Sequence, residues 1–531
     1  MSENIKEQFN KALIQHKSGN LEDARLLYNE IIDQNPDNIE LLLKIFNLFY
    51  QRAEFKYAEE YIKKVVEKEP LAKYYRALGD VYYNQKEYEK ALKYYLPVVK
   101  ACPDSDYVCF KIGTSYSFLH KADEAIEYLS RVVALNDKDA NTHYNLALSF
   151  EYKLELEKAV EHTIKSIELK SKNPEALYLL STLFLKMGNF AEGWELYETR
   201  FFGENCIAEL KSSKPQWDGS SLENKTIYVQ HEQGIGDCIM FSRFIYTLKE
   251  KGAKVLFKPH KLLYQLFKDN TLPCEIISPE TSMDDLEFDT YMSLMSLPTV
   301  LKINESNIPL KTKYLNANPE KVLEYKKKFF MNTPTAEHTG CLQASLRGTW
   351  QSKKNNQASW IATLPLVARN DDLTTSYEEF PRLKVGICWQ CKNIHHHDKY
   401  RSISDISSFY PLLRIPDIEF YSLQKGTGEE QLKNLPEDIK ITELGSTFND
   451  FSDTAAAIEN LDLVITVDTS VLHMAGSMGK KTLLLLEYSS DWKWLTKRDD
   501  SIWYESVKLL RQNEERTWDF VIDNAVDFVK K

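Results

Sequence analysis

The sequence predicts a multidomain protein: an all-α array of helical repeats over residues 5–202, then a pair of α/β halves over 203–330 and 382–531. Three observations predict it. A period of about 34 residues runs in phase through the first two hundred positions. Short β-rich runs then alternate with helical segments in two sets, about 217–325 and 382–515. Between the sets lies a stretch with neither period.

The repeat array comes first. Ala12, Phe46, Gly79, Gly113, Ala147 and Ser181 are spaced 34, 33, 34, 34 and 34 apart. Twelve residues after each comes another small residue: Ala24, Ala58, Ala91, Ala125, Ala159 and Gly193. Four further on stand Tyr28, Ile62, Tyr95, Leu129, Thr163 and Tyr197. Pro36, Pro70 and Pro103 close the first three units, and Asp137 takes that place in the fourth. Each unit is two amphipathic helices joined by a tight turn. Small residues let the paired helices approach, bulky ones fill the groove beside them, and the proline ends the second helix. One unit cannot bury its apolar face alone, so units stack. This resembles the tetratricopeptide pattern. The cleanest copy is "ALGDVYYNQKEYEKALKYYLPVVKACP" (Ala77–Pro103), and six units cover about 5–202. The expected function is a concave surface for a protein or peptide partner. The alternative is that the repeats support the second part of the chain, or assemble it into a homo-oligomer.

The α/β part follows Pro215. The runs "TIYVQ", "KVLFKP", "CEIIS" and "FDTYMSL" make the first set; "LKVGICW", "IEFYSLQ", "IKITEL", "LDLVITV" and "KTLLLLE" make the second. Alternation of this kind predicts parallel sheets with crossover helices, that is, two Rossmann-like halves. Ligands of such sheets bind at the carboxyl ends of the strands. Residues 331–381 are rich in Thr, Asn, Ser and Gln. A structureless loop of that length is improbable inside a compact domain, so it reads as a disordered insertion in the interdomain connection.

Bulk properties bound the function. At 531 residues the chain needs two or three cores. With 43% hydrophobic and 27% charged residues it reads as a soluble globular protein. A net charge of −11 argues against nucleic acid or an anionic membrane as the main partner. No apolar run is long enough for a membrane span, and the first twenty residues have no signal-peptide core. Eight scattered cysteines make no disulfide framework, so a cytoplasmic location is expected.

Four stretches can bear chemistry. In "HEQGIGDCIMFSRF" (His231–Phe244), Gly234 and Gly236 permit a tight turn after a strand, and the following helix aims its first amides at whatever sits above. Asp237 is either an N-cap or a general base. The spacing lacks the third glycine of a dinucleotide fingerprint, and "KVLFKPHK" supplies no acid on the next strand, which argues against a nicotinamide cofactor. In "LDLVITVDTSVLHMAGSMGKK" (Leu461–Lys481) a buried strand ends at Asp468, and Thr469 and Ser470 open a helix suited to phosphate. Asp468 suits sugar or ribose hydroxyls, and His473 is either a ligand contact or a packing residue. In "WQCKNIHHHDKYRSISD" (Trp389–Asp405), Lys392, Lys399 and Arg401 gather where two phosphates need neutralising. Cys388, Cys391 and His395–His397 look like zinc ligands, but a buried-strand cysteine without a second cysteine pair argues for no metal. In "SLQKG" (Ser422–Gly426), Lys425 suits nucleotide phosphates and the backbone near Gln424 a base; the alternative is an ordinary strand-to-helix loop.

Taken in order, these stretches resemble bacterial tetratricopeptide-containing glycosyltransferases of the GT-B fold, related to the ADP-heptose:lipopolysaccharide heptosyltransferases and distantly to O-GlcNAc transferase. The matching segments also include "WELYETRF" (Trp194–Phe201) and "DWKWLTKRDDSIWYESVKLLRQ" (Asp491–Gln512). The resemblance implies a nucleotide-sugar donor bound by the C-terminal half. Asp468, Thr469 and Ser470 would hold its sugar and phosphates with His473 beside them. It also implies Asp237 as catalytic base, and no metal or other cofactor, with Lys399 and Arg401 stabilising the leaving diphosphate. The sequence departs from that family at "WQCKN", where a smaller turn is usual, in its histidine run and in the insertion.

Overall fold

The computed structural model describes residues 3–203, 206–270, 272–331, 382–392 and 398–530. The expected insertion, from residue 332 on, and His395–His397 lie outside them. The chain forms two compact units, Met1–Leu183 with Phe202–Glu204, and Phe184–Phe201 with Asn205–Lys531.

The first unit is a run of helix pairs: α1 (Glu3–Lys17) and α2 (Leu21–Gln34), α3 (Ile39–Gln51) and α4 (Phe55–Lys68), α5 (Ala72–Asn84) and α6 (Tyr88–Ala101), α7 (Asp106–Phe118) and α8 (Ala122–Leu135), α9 (Ala140–Tyr152) and α10 (Leu156–Leu169), then most of α11 (Pro174–Met187). Pro36, Pro70 and Pro103 stand just beyond α2, α4 and α6, where the sequence put the stops. Side-chain caps start three of the first helices: Asn38 accepts from the Leu41 amide, Ser105 from Val108 and Asp139 from Thr142. The small positions are where helices touch. A Cβ on Gly79 would lie 2.7 Å from the Tyr95 ring, and one on Gly113 would lie 2.6 Å from Leu129 Cγ. Those are the bulky positions sixteen residues on that the period had paired with them.

A second mark of the period sits in the backbone. The turn between the two helices of each pair has one residue at positive φ: Gly19, Ala53, Lys86, His120, Leu154 and Gly188. Only the first and last are glycine. The four between hold a left-handed conformation that costs an L-residue roughly 1–2 kcal/mol.

The second unit begins within α11 and takes in α12 (Phe190–Tyr197) and the 3-10 turn Glu198–Phe201. Its first sheet holds β1 (Thr226–Gln230), β2 (Lys254–Lys258), β3 (Glu275–Ile276) and β4 (Thr290–Ser293) in the order β3-β2-β1-β4. Helices α13 (Ile235–Phe241), α14 (Phe244–Glu250) and α15 (Tyr264–Asp269) lie between these strands, and α16 (Leu297–Leu301) and α17 (Pro319–Tyr325) follow. Its second sheet holds β5 (Leu383–Cys388), β6 (Ile418–Ser422), β7 (Ile441–Glu443), β8 (Leu463–Val467), β9 (Thr482–Leu486) and β10 (Val507–Arg511). With it go α18 (Asp398–Arg401), α19 (Tyr410–Leu413), α20 (Phe451–Glu459), α21 (Ser470–Ser477) and α22 (Trp518–Lys530).

All the ladders between these strands are parallel. The second sheet runs β10-β9-β8-β5-β6-β7, which counted from β5 is the doubly wound order 3-2-1-4-5-6. Its strand order reverses between β5 and β8. Strands β8 and β9 are buried throughout, which is why "LVITV" and "TLLLL" read as unbroken apolar runs. Strand β10 was not among the runs read from the sequence. Lys508 and Arg511 interrupt it, and only Val507 and Leu509 are fully buried.

The two sheets belong to one compact unit, and helices from each meet. Gly236 of α13 meets His473 of α21 so closely that a Cβ there would lie 2.5 Å from the ring. Arg243 is fully buried and donates to the Trp503 carbonyl at 2.7 Å, the Met240 carbonyl at 2.8 Å and the Tyr314 hydroxyl at 3.2 Å. Among the described residues no helix is long and apolar enough to cross a membrane.

Candidate functional site

The carboxyl ends of β1, β5, β8 and β9 bring the charged residues together. After β1 the chain turns through Gln233, at φ +60, and Gly234 caps α13. Asp237 is therefore not the N-cap. It is the third residue of the helix, and its Oδ2 accepts from the Gly234 amide at 3.3 Å. Its Oδ1 lies 3.3 Å from the ammonium of Lys493. Lys493 also lies 3.2 Å from Asp491. Burial alone would discharge that lysine; Asp237, Asp491 and Asp468 outweigh burial and hold it protonated.

Asp468 follows β8 and is buried. Its Oδ2 accepts from the indole of Trp494 at 2.8 Å. Burial pushes its carboxyl above the usual range, against the pull of Lys493 and Arg401. Thr469 caps α21 with its hydroxyl on the Val471 amide at 3.3 Å, and Ser470 opens the helix. Both are half-buried. Arg401 of α18 pairs with Asp398 at 2.6 Å; its Nε is buried without a hydrogen-bond partner among the described residues. Asp468, Cys391 and Asp398 outweigh burial and secure its charge. Glu487, just past β9, has its carboxyl pushed up to about 8 by burial, with Lys186 pulling the other way.

Four residues expected at a donor site make other contacts. The His473 ring gives Nδ1 to Tyr504 at 3.0 Å, lies over Trp494 at 5.7 Å and packs on Gly236. Burial first, then Lys493, hold its pKa well below normal, so it is a neutral packing residue. Gly236 is accordingly a contact glycine, with no room for a side chain beside that ring. The Gln424 side chain is buried: its oxygen accepts from the Trp389 and Gln390 amides, each at 3.0 Å, and its nitrogen donates to Gln390 and Thr427 carbonyls at 2.9 and 2.7 Å. It brackets the ends of β5 and β6. Lys425 is exposed and donates to the Phe448 carbonyl.

The Lys399 side chain lies outside the description. Cys388 and Cys391 are buried free thiols, the second 2.9 Å from the Ser402 hydroxyl. Among the described residues no group of three His, Cys, Asp or Glu side chains is placed to hold a metal.

Sequence reasoning missed Lys493, Trp494, Asp491 and Glu487. The signal available was "DWKW", two tryptophans around a lysine two residues from an aspartate. It also missed Arg200 and Glu232, which meet as a buried ion pair beside the Asp237 turn, with Nη2 to Oε1 at 2.7 Å and Nε to Oε2 at 3.2 Å.

Comparison with known proteins supports the repeats. Tetratricopeptide repeat models match residues 15–80, 72–105 and 107–139. Protein FlbA of Caulobacter vibrioides is 23% identical over 366 residues, covering 65% of this chain and 54% of FlbA. The TPR repeat-containing protein MJ1428 of Methanocaldococcus jannaschii is 29% identical over 129 residues, 24% of this chain and 23% of that protein. The chain thus spans about half the length of the first relative and about a quarter of the second. Among solved structures, the TPR protein YrrB is 21% identical with a TM-score of 0.29, over 32% of this chain and 89% of that one. MamA is 21% identical with a TM-score of 0.29, over 33% and 96%. The N-terminal part of the chain is an array of tetratricopeptide repeats, which supports a role in protein interaction, and a region of parallel sheets follows it.

Proposed function

We propose that the chain is a GT-B glycosyltransferase that moves a sugar from a nucleotide-sugar donor to an acceptor recruited by its repeats, either a protein or a glycan or lipid carrier. One observation carries the reading. The second sheet reverses its strand order between β5 and β8, and the loops there hold Arg401, Thr469 and Ser470 in the same unit as Asp237 and Lys493. Ligands of doubly wound sheets bind at that reversal.

The chemistry follows from the charges. The donor diphosphate rests on the first amides of α21 and the Thr469 and Ser470 hydroxyls, beside Arg401. Asp237 takes the proton of the acceptor hydroxyl. The acceptor oxygen bonds to the anomeric carbon, the bond from that carbon to the phosphate oxygen breaks, and the nucleoside diphosphate leaves with the electron pair. Lys493 and Arg401 stabilise the charge that develops on it, in a site already arranged to do so. No metal ion is part of this scheme.

A thermal-shift screen against nucleoside diphosphates and their sugars tests it. A ligand at a hundred times its Kd stabilises the folded state by about 2.7 kcal/mol. The expected result is a melting shift with one diphosphate and not the others. Asp237→Asn should keep that shift and lose sugar transfer. A folded sample that responds to none of them supports the second reading, an interaction scaffold with an inactive α/β part, which the tetratricopeptide matches favour.

A further inference from the structure

The turn that bears Asp237 is held from an unexpected side. Glu232 and Gln233 precede Gly234, whose amide Asp237 accepts. Glu232 is buried in a two-point ion pair with Arg200, and it also accepts from the Met295 amide at 3.1 Å. Arg200 spends its other donors on the Tyr197 carbonyl at 3.0 Å, Glu198 at 2.9 Å and the Ser296 hydroxyl at 2.7 Å. Gln233, in its left-handed conformation, exchanges hydrogen bonds with the Tyr197 hydroxyl at 3.3 and 3.4 Å. Tyr197 and Arg200 belong to α12 and the 3-10 turn after it, where the repeat period places its last unit. Two successive residues of the turn are thus fastened by one short segment.

Stability alone does not explain the arrangement. A buried ion pair is seldom better than a well-packed apolar pair of the same volume, and its attested use is to select one geometry. The bonds to Glu232, Gln233, Met295 and Ser296 converge on one turn and on the start of the loop after β4, and those to Tyr197 and Glu198 brace Arg200 within its own segment.

We infer that Arg200 and Glu232, seconded by Tyr197 and Gln233, are positioning residues: they set the turn Glu232–Asp237 and so aim the Asp237 carboxylate. The end of the repeat array is then a working part of the α/β site, which is a physical reason for the two to share a chain. The kinetic arm of the test rests on the transfer reading; the exchange arm does not.

The experiment uses the full chain carrying Arg200→Met with Glu232→Leu, which replaces the pair by apolar side chains and leaves no lone buried charge. Hydrogen exchange is followed in peptides covering 229–241 and, as a control, 463–478. The expected result is exchange at the turn about tenfold faster with the control unchanged. Turnover should fall about a hundredfold while the Kd for the nucleoside diphosphate stays put, because misplacing a reacting group by about 1 Å has that effect. Unchanged exchange at the turn overturns the inference, whatever the activity. Wild-type protein without turnover defeats the transfer reading alone, and the exchange result still decides this one. If the double variant does not fold, Tyr197→Phe removes one hydroxyl without disturbing the ion pair. It should speed exchange at Gln233–Asp237 by a smaller factor, and no change there overturns the inference as well.

Discussion

Lys493 stays charged in the protein interior because three carboxylates surround it, and that fact organises the neighbouring residues. Asp237 and Asp491 contact it directly, and Asp491 is held below its ordinary pKa, where the attraction of Lys493 outweighs burial. At Glu487 burial wins over the opposing pull of Lys186. Its carboxyl rises to about 8 in the folded chain, against an ordinary value of 4.5. The sign of the consequence is fixed. Below pH 4.5 both states hold the proton. Between 4.5 and 8 the unfolded chain loses it while the folded chain keeps it, so the folded state loses stability as pH rises, by at most about 1.4 kcal/mol per pH unit. Glu487→Gln removes that slope. Urea midpoints measured from pH 5 to pH 8 should therefore diverge, with the variant gaining on the wild type as pH rises. Parallel curves would mean that Glu487 is already ionised in the folded protein.

The helix pairs were legible in the sequence because their determinants are local. Gly113 and Leu129 are sixteen residues apart, and so are Gly79 and Tyr95, and both pairs meet as the period demands. Strands β8 and β9 were legible for the same reason. Strand β10 was not, since only Val507 and Leu509 of it are buried and Lys508 and Arg511 break the apolar run. The strand-end and helix-start at Asp468–Ser470 could be read from a short stretch, whereas Gln424, His473, Lys493 and Arg200 take their roles from distant parts of the chain that spacing does not reveal. The turn between paired helices offers an element-scale test. Lys86 is exposed and held at φ +62, so its side chain contributes no packing there. Lys86→Gly removes a left-handed cost of roughly 1–2 kcal/mol and adds about 0.4–1 kcal/mol of unfolded-state entropy. The first effect wins, and the variant should be more stable by about 0.5–1 kcal/mol in a urea titration. Gly113→Ala should go the other way. Helix propensity favours alanine by about 1 kcal/mol, but a Cβ 2.6 Å from Leu129 overpacks a buried contact at a cost of about 1–3 kcal/mol. A lowered urea midpoint is expected; a raised one would mean that Leu129 yields freely.

At the scale of the molecule the decisive feature is where one unit stops and the next begins. The repeat period runs on to Tyr197, yet the second compact unit takes up at Phe184. The reason is aromatic packing and one ion pair. Trp194 is buried edge-on against Trp492 and Phe241, with its indole on the Ile303 carbonyl at 3.0 Å. Tyr197 also meets Trp492, and Arg200 neutralises Glu232. A cut just past the periodic units, which the sequence ends at 202, made after residue 205, strips all of these from the α/β part. It leaves the Glu232 carboxylate without its cation, and breaking a buried pair from one side costs about 3–5 kcal/mol. A cut before Phe184 leaves them in place. Two shortened chains, one starting at 184 and one at 206, should therefore differ sharply in thermal denaturation. The longer should melt cooperatively, and the shorter should melt lower by roughly 10 °C, at about 2–4 °C for each kcal/mol lost. Equal melting temperatures would place the end of the repeats after Phe201 and reduce the segment from Trp194 to Arg200 to a linker. A difference would mean that the segment from Trp194 to Arg200, though it ends the sequence period, is packed as part of the α/β unit.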